Sequence, residues 1–489
     1  MNSSVSAGTF DLAALPVLDA AAWRENLSQG LREGMRPITV FGTSAGPDVI
    51  LTSVVMGPDF GLHVSRARAD RLRGYHELTT EFPALHVFER ELHEQTGIRI
   101  AGHPWLKPVR YEGRDQAAMA AYPFYRIEGK EAHEVAVGPI HAGIIEPGAF
   151  RFMCEGEKVR HLEIQLGYQH RGAEALLRAG DPRRLAPLIE TIAGDSSAAY
   201  AWAYSAAIER LAGCDPDPDI EAARAVMLEL ERVAMHLSGL SGLSADLGFL
   251  QGASTYSRLR TVAINSAMRL CGSRLGRGAI RPGGIGMRLT RDLAEEFRRN
   301  LALLQRDLAI INDRFMASKT VQSRLHGAGT LSRSDALRLG VVGMAARASG
   351  IPIDTRMARK GAYGTRELPP VILSGGDCRA RAGIRIGEMS ASLDWMAATM
   401  DGHREWRPSR PPIGPLRPDC LAVSVVEGWR GEIVHCLETG PTGGLLHYKA
   451  QDPSLRNWMG LAIAVRDNDI SDFPICNKSF DLSYCGNDL

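Results

Sequence analysis

The sequence predicts an α+β protein in two parts: a small mixed N-terminal unit, then a large helical bundle with β-rich ends. Three observations carry that reading. At 489 residues and 45% hydrophobic, the chain exceeds the ~250–300 residues at which a single core stops growing. Apolar residues repeat with a strand-like period near both ends and with the i, i+3, i+4 spacing of helices through the middle. A polar, small-residue stretch around position 127 keeps no period, which places the boundary there and gives two units, 1–127 and 128–489.

In the first unit ITVFGTS, VILTSVVM and FGLHVSR read as strands, and ADRLRGYHELTTEFPALHVFERELHEQTG reads largely as helix. GRDQAAMAAYPFYRIEGKEAHEVAV (113–137) reads as irregular. FRFMCEGEKVRHLEI alternates around a Glu-Gly turn as a hairpin does. Helices are expected at roughly 196–213, 219–246, 252–273, 291–317 and 377–400, enough to build a bundle. An Arg/Pro-rich linker (402–419) follows. After it LAVSVVEGWRGEIVHCLETG and LLHYKAQD read as a hairpin or small sheet, and PSLRNWMGLAIAV as a short helix.

Composition narrows the function. Lys+Arg 57 against Asp+Glu 56 gives a formal charge of +1, which supplies no electrostatic reason to expect nucleic acid or an anionic membrane as the main partner. No apolar run reaches the ~18–20 residues of a spanning helix and no secretory leader is visible, so a cytoplasmic protein held at a membrane by other subunits is expected. Eight cysteines are scattered, the closest pair nine positions apart and none in a CxxC. That spacing signals no disulfide scaffold, iron–sulfur site or zinc ribbon, and buried thiols are expected. No GxGxxG stands between a strand and a helix, so there is no NADH fingerprint.

Two stretches carry a family resemblance. FERELHEQTGIRIAGHPWLKPVRY (88–111) resembles the signature of the 30-kilodalton subunit of respiratory complex I. GPIHAGIIEPGAFRF (138–152) and LGYQHRGAEALLRAGDPRRLAPL (166–188) resemble the complex I 49-kilodalton subunit and the large subunit of nickel–iron hydrogenases. A fusion in this order is similar to the large subunit of formate hydrogenlyase-type, group 4 membrane-bound hydrogenases. ELERVAMHLSGLSGLSADLGF, RPGGIG, RASGIPIDTR, GDCRARAGIRI and VEGWRGEIVHCL fall in that family's order.

The resemblance implies a nickel–iron centre held by two motifs, Arg-Ile-Cys-Gly-x-Cys and Asp-Pro-Cys-x-x-Cys. TIAGDS (191–196) stands at the first, with Ala193 and Ser196 in the ligand positions. DLSYCG (481–486) stands at the second, where Ser483 and Gly486 take those positions and Cys485 is one residue out of register. A serine hydroxyl has a far higher pKa than a thiol and is a poor ligand for soft nickel; alanine and glycine offer no side-chain donor. The chain therefore reads as a branch lacking the nickel-ligating cysteines, with no metal ligands of its own.

The resemblance implies further roles. His170 and Arg171 of HRG would face the iron–sulfur cluster of a partner small subunit, and Glu174 would relay protons, which needs a lifted pKa. Glu174 also reads as a first-turn carboxylate favoured by the helix dipole. His141 corresponds to the first histidine of a quinone-binding loop, with Pro147 before Gly148 where a second histidine would stand; Tyr200 lies on the helix that carries a quinone tyrosine. Arg347, Asp354, Asp377 and Arg381 are candidates for one polar network around the old metal cavity, where Arg381 would face the vacated pocket or a partner's cluster. The expected function is a peripheral-arm subunit on the cytoplasmic face of the inner membrane. It would dock an iron–sulfur small subunit against antiporter-like membrane subunits and couple electron transfer to ion translocation. Two alternatives stay open: a vacated pocket that reduces quinone or another acceptor through Ser196, Ser483, Tyr200 and His141, and a working hydrogenase.

Overall fold

A computed structural model describes residues 7–113, 116–142, 145–364, 368–401 and 405–489. Gly143 and Ile144 of the GPIHAGIIEPG loop, and the first residues of the 402–419 linker, lie outside the described residues.

The chain opens with β1 (Ala7–Asp11), whose partner lies near the other end of the sequence. The N-terminal sheet has the order β2 (Val17–Asp19), β5 (Leu62–Asp70), β4 (Asp48–Met56), β3 (Arg36–Ala45), antiparallel except for the β2/β5 pair. The three predicted strands are β3, β4 and β5. Helix α1 (Ala20–Arg32), not foreseen, starts where Asp19 Oδ1 accepts from Ala22 N at 2.8 Å.

The predicted helix over 69–97 shortens to α2 (His86–Thr96). Its first half turns instead: Asp70 accepts from Leu72 N and Arg73 N at 3.0 and 2.8 Å, and Gly74 takes φ +60 against the Arg99 carbonyl, where a β-carbon would not fit. The chain then pairs β6 (Tyr75–His76) with β7 (Ile100–Ala101). Glu89 reaches back from α2 to accept from Leu78 N and Thr79 N, both at 3.0 Å. A residue that reads as a helix former thus stabilises the loop before its helix.

After α3 (Gln116–Ala121), β8 (Ala132–Val137), β9 (Ala149–Glu155) and β10 (Lys158–Gln165) form an antiparallel sheet in the order β10, β9, β8. The β9/β10 hairpin is as expected. β8 falls in the stretch expected to be irregular; as an edge strand with no buried face, it lacks the alternation by which strands are recognised.

The bundle runs through α4 (Ala173–Ala179), α5 (Ala186–Ile189), α6 (Ser197–Ala212), α7 (Pro218–Asp246), α8 (Leu250–Cys271), the β11 (Ile280–Arg281)/β12 (Gly284–Ile285) ribbon, α9 (Arg291–Ala317), α10 (Lys319–Leu325), α11 (Arg333–Arg338), α12 (Gly343–Ala348), α13 (Lys360–Tyr363) and α14 (Cys378–Met400). The five predicted helices are α6, α7, α8, α9 and α14. Helix α6 is buried almost all round; its alanines let α7 and the C-terminal sheet approach closely.

That sheet has the order β1, β13 (Cys420–Glu427), β14 (Glu432–Thr439), β15 (Leu445–Gln451), all antiparallel. Helices α15 (Pro453–Ala464), α16 (Phe473–Phe480) and α17 (Cys485–Asp488) end the chain. The N-terminal sheet packs onto it: Ile38, Phe41, Val54 and Met56 share a core with Leu421, Val423, Val425, Val434 and Cys436. A charged joint adds to this. Lys449 on β15 donates to Glu91 on α2 at 2.5 Å and to Glu174 on α4 at 3.1 Å, and Arg110 also pairs with Glu91.

Candidate functional site

The first motif lies between α5 and α6, with a 3₁₀ turn at Gly194–Ser196. Its backbone is fixed from outside. Arg171 donates to the carbonyls of Thr191 and Ile192, both at 3.0 Å, and Trp429 Nε1 donates to Asp195 O at 3.0 Å. The second motif lies between α16 and α17. Ser483 N donates to Ser454 Oγ at 2.9 Å, and Arg110 Nη2 donates to Gly486 O at 3.0 Å. At Gly486 a β-carbon would stand 3.0 Å from Leu455 Cβ and 3.2 Å from Asp452 Cβ. That position is packed to the size of glycine.

The structure brings the two motifs together through residues that sequence reasoning left without a role. The guanidinium of Arg430, from the β13/β14 turn, donates to both carboxylate oxygens of Asp195 at 3.0 and 2.7 Å, while its Nε donates to the carbonyl of Asp481. It stacks on Trp429, 3.8 Å from the ring centre. Burial pushes the Asp195 carboxyl up, but Arg430 outweighs it and holds the group below the ordinary range. Beside this strut, Tyr200 OH donates to Asp452 at 2.9 Å and stands 3.9 Å from Cys485 Sγ. Burial raises both Tyr200 and Cys485, and Asp452 adds to it, so phenol and thiol stay protonated at neutral pH. Ser196 Oγ is 3.4 Å from Asp195, and Ser483 Oγ accepts from Cys485 N at 3.3 Å. Of the two hydroxyls, one meets a carboxylate and the other a backbone N–H.

Glu174 sits in the first turn of α4 as expected, yet its partners are Lys449, Ala450 N at 3.0 Å and Gln95 at 3.2 Å. Burial pushes its carboxyl up; Lys449 and Arg110 outweigh it and hold it well below the ordinary range. A proton relay needs the opposite shift, and the reason is the charged joint with Lys449 and Arg110. His170 Nδ1 is buried without a hydrogen-bond partner, and burial, then Arg110, pushes the ring's pKa down. His141 bonds across its own loop to Gly148 O at 2.8 Å. It closes that loop's neck and is not among the hydrogen-bond partners of Tyr200.

Residues 246–409 match the family described as "Respiratory-chain NADH dehydrogenase, 49 Kd subunit". Formate hydrogenlyase subunit 5 of Escherichia coli K12 is 28% identical over 442 residues, covering 84% of this chain and 76% of that protein. The chain carries a complex I 49-kilodalton domain and is homologous to formate hydrogenlyase subunit 5. Membrane-bound hydrogenase subunit alpha of Pyrococcus furiosus is 28% identical, covering 71% of this chain and 85% of its own length. The fused C/D protein of the NADH-quinone oxidoreductase of Phocaeicola vulgatus is 26% identical, covering 72% and 74%. A 30-kilodalton-like part followed by a 49-kilodalton-like part is the layout of these fused homologues. A chain of the membrane-bound sulfane sulfur reductase, an archaeal respiratory membrane complex, shares the fold at a TM-score of 0.66 and 22% identity, covering 75% of this chain and 100% of that one. Among the described residues no helix is long and apolar enough to cross a membrane.

In this formate hydrogenlyase subunit 5 homologue, the four residues expected to form one network do not: only Arg347 and Asp354 share one. Arg347 meets Glu388 and Glu427, both at 2.8 Å, and Asp354 at 3.6 Å. Arg356, Glu229 and Arg232 extend this group, and His236 joins it through Glu388 at 2.8 Å. Arg381 belongs elsewhere, bonding Ser479 Oγ and the carbonyls of Gly376 and Gly329; Asp377 caps α14 by accepting from Ala380 N at 2.8 Å. The residues missed are Arg430, Asp195, Trp429 and Asp452. VEGWRGE gave a signal, a Trp-Arg pair at a hairpin turn, but its target Asp195 lies 235 residues away in sequence.

Proposed function

We propose that this chain is a peripheral-arm subunit of a membrane-bound, hydrogenase- and complex I-related oxidoreductase complex, in which a buried ion pair has taken the place of the nickel–iron site. It holds an iron–sulfur small subunit against antiporter-like membrane subunits on the cytoplasmic face of the inner membrane. Electrons pass through the partner's clusters, and their transfer is coupled to ion translocation. The observation that carries the reading is Arg430, a guanidinium bridging the two motifs that hold the metal in the family.

The residues at the four ligand positions do not fit nickel. Ala193 and Gly486 have no side-chain donor, and the hydroxyls of Ser196 and Ser483 are hard and protonated at neutral pH. A fixed cation beside Asp195 also opposes a divalent ion through charge. Metal analysis of the complex purified from membranes, with its subunits identified, tests this. Iron without nickel, together with an iron–sulfur subunit and antiporter-like proteins, is expected; one nickel per chain would overturn the reading in favour of a working hydrogenase.

The reading with quinone or another acceptor in this pocket draws on Tyr200, whose phenol stands against Asp452 and against Cys485 of the second motif. Quinone-analogue reduction by the complex, abolished by His141→Ala with assembly intact, would favour it.

A further inference from the structure

Cys378 and Cys476 come from α14 and α16, which are distant in sequence, and their sulfurs stand 4.0 Å apart. Both thiols are buried, and neither takes part in the contacts between the two motifs. Three features make this pair chemically unequal. Cys378 is the first residue of a 23-residue helix, where the helix dipole favours a thiolate. Arg381, one turn on, places Nη2 3.4 Å from the Cys378 sulfur, and its three hydrogen bonds to Ser479, Gly376 and Gly329 hold it there. The hydrogen bond between the two thiols, followed by Arg381, holds Cys378 below its ordinary value, while Cys476 is pushed up. One sulfur is thus prepared as a nucleophile and the other remains a thiol.

The covering of the pair is thin. Gly329, at φ +58, lies against it so closely that a β-carbon there would stand 2.7 Å from Cys476 Sγ and 3.0 Å from Arg381 Nη2. Its neighbours His326, Gly327 and Thr330 are exposed.

We propose that Cys378 and Cys476 form a redox-active dithiol that a hydroperoxide closes to a disulfide. The Cys378 thiolate attacks a peroxide oxygen and the O–O bond breaks; the departing hydroxide takes a proton and leaves as water, and the sulfur becomes a sulfenic acid. Cys476 gives up its proton and attacks that sulfur, expelling the hydroxyl as a second water. Two thiols and one hydrogen peroxide give one disulfide and two waters, the thiols losing the two electrons that the peroxide gains. An S–S bond of ~2.05 Å requires the sulfurs to approach by about 2 Å. Helix α16 runs directly into Asp481, whose carbonyl holds Arg430, so the disulfide fastens the second motif to α14.

The test uses the full chain, reduced, exposed to hydrogen peroxide, then denatured, alkylated and mapped by mass. A peptide pair linked through Cys378 and Cys476, at least tenfold above the untreated control, is expected. Cys378→Ser abolishes that link, and Cys476→Ser leaves a sulfenic acid on Cys378 that dimedone traps. Because either serine variant can fail to fold, the unaltered protein is also followed against pH. Linkage appears there at a pH below that needed to oxidise an ordinary thiol. Recovery of both cysteines fully alkylated after peroxide, or linkage spread equally over the other six, would overturn the proposal.

Discussion

Two of the buried charge clusters, one at the motifs and one around Arg347, are built on different plans. At the motifs a single guanidinium, Arg430, meets a single carboxylate, Asp195, whose side chain keeps 36% of its exposure. In the network around Arg347, three guanidiniums (Arg232, Arg347, Arg356) face four carboxylates (Glu229, Asp354, Glu388, Glu427), all essentially sealed from water. The pair is balanced, while the network has one negative charge to spare. The imbalance shows at Glu427, whose carboxyl is pushed up by burial and by Asp354 despite Arg347. A balanced pair whose carboxylate keeps part of its exposure links two segments at small cost, whereas a sealed network depends on every member.

The largest expected effect breaks the network. Arg347→Ala leaves four buried carboxylates with two guanidiniums and should cost about 4 kcal/mol, read as loss of soluble chain or a large fall in the urea midpoint. Arg430→Ala should cost less, about 2 kcal/mol, because Asp195 can regain water. In a double-mutant cycle, adding Asp195→Ala should recover part of that loss; full additivity would show that the strut couples nothing.

A pH series sharpens the comparison. The folded pKa of Asp195 is depressed, so the stability contributed by the pair is present above the unfolded aspartate value of ~3.9 and is lost as pH falls through the lower folded value. Urea unfolding should therefore show wild type ahead of Asp195→Asn at pH 6, with the gap closing in acid. The smallest effect is Gly486→Ala, about 1 kcal/mol from crowding Leu455 and Asp452; no loss at all would mean that this ligand position still has room for a side chain.

The legibility of the sequence follows the same division between local and distant. Helices α7 to α9 and α14 declared themselves through apolar residues at helical spacing, and α6 through a run of small apolar residues buried almost all round. β8 did not, having no buried face, and the helix expected before α2 was overruled by the Asp70 turn and by Glu89 bonding backward. The residues at the four positions where the resemblance implies cysteine ligands could be read directly from two short motifs. What stands between them could not, because Arg430 reaches Asp195 from a hairpin far along the chain. Glu174 shows the same limit: its position in α4 was local information, but its charge state is set by Lys449 and Arg110 from other parts of the fold.

The pairing of Ala7 with Ser424 in the β1/β13 ladder has a consequence during biosynthesis. At ~5–20 residues per second, ~20–80 s pass between the ribosome releasing β1 and releasing the strand it completes. For that interval β1 exists without its partner, and its backbone edge is open to mispairing. This sheet therefore cannot close until a segment far along the chain has been made, and β1 stays without its native pairing until then.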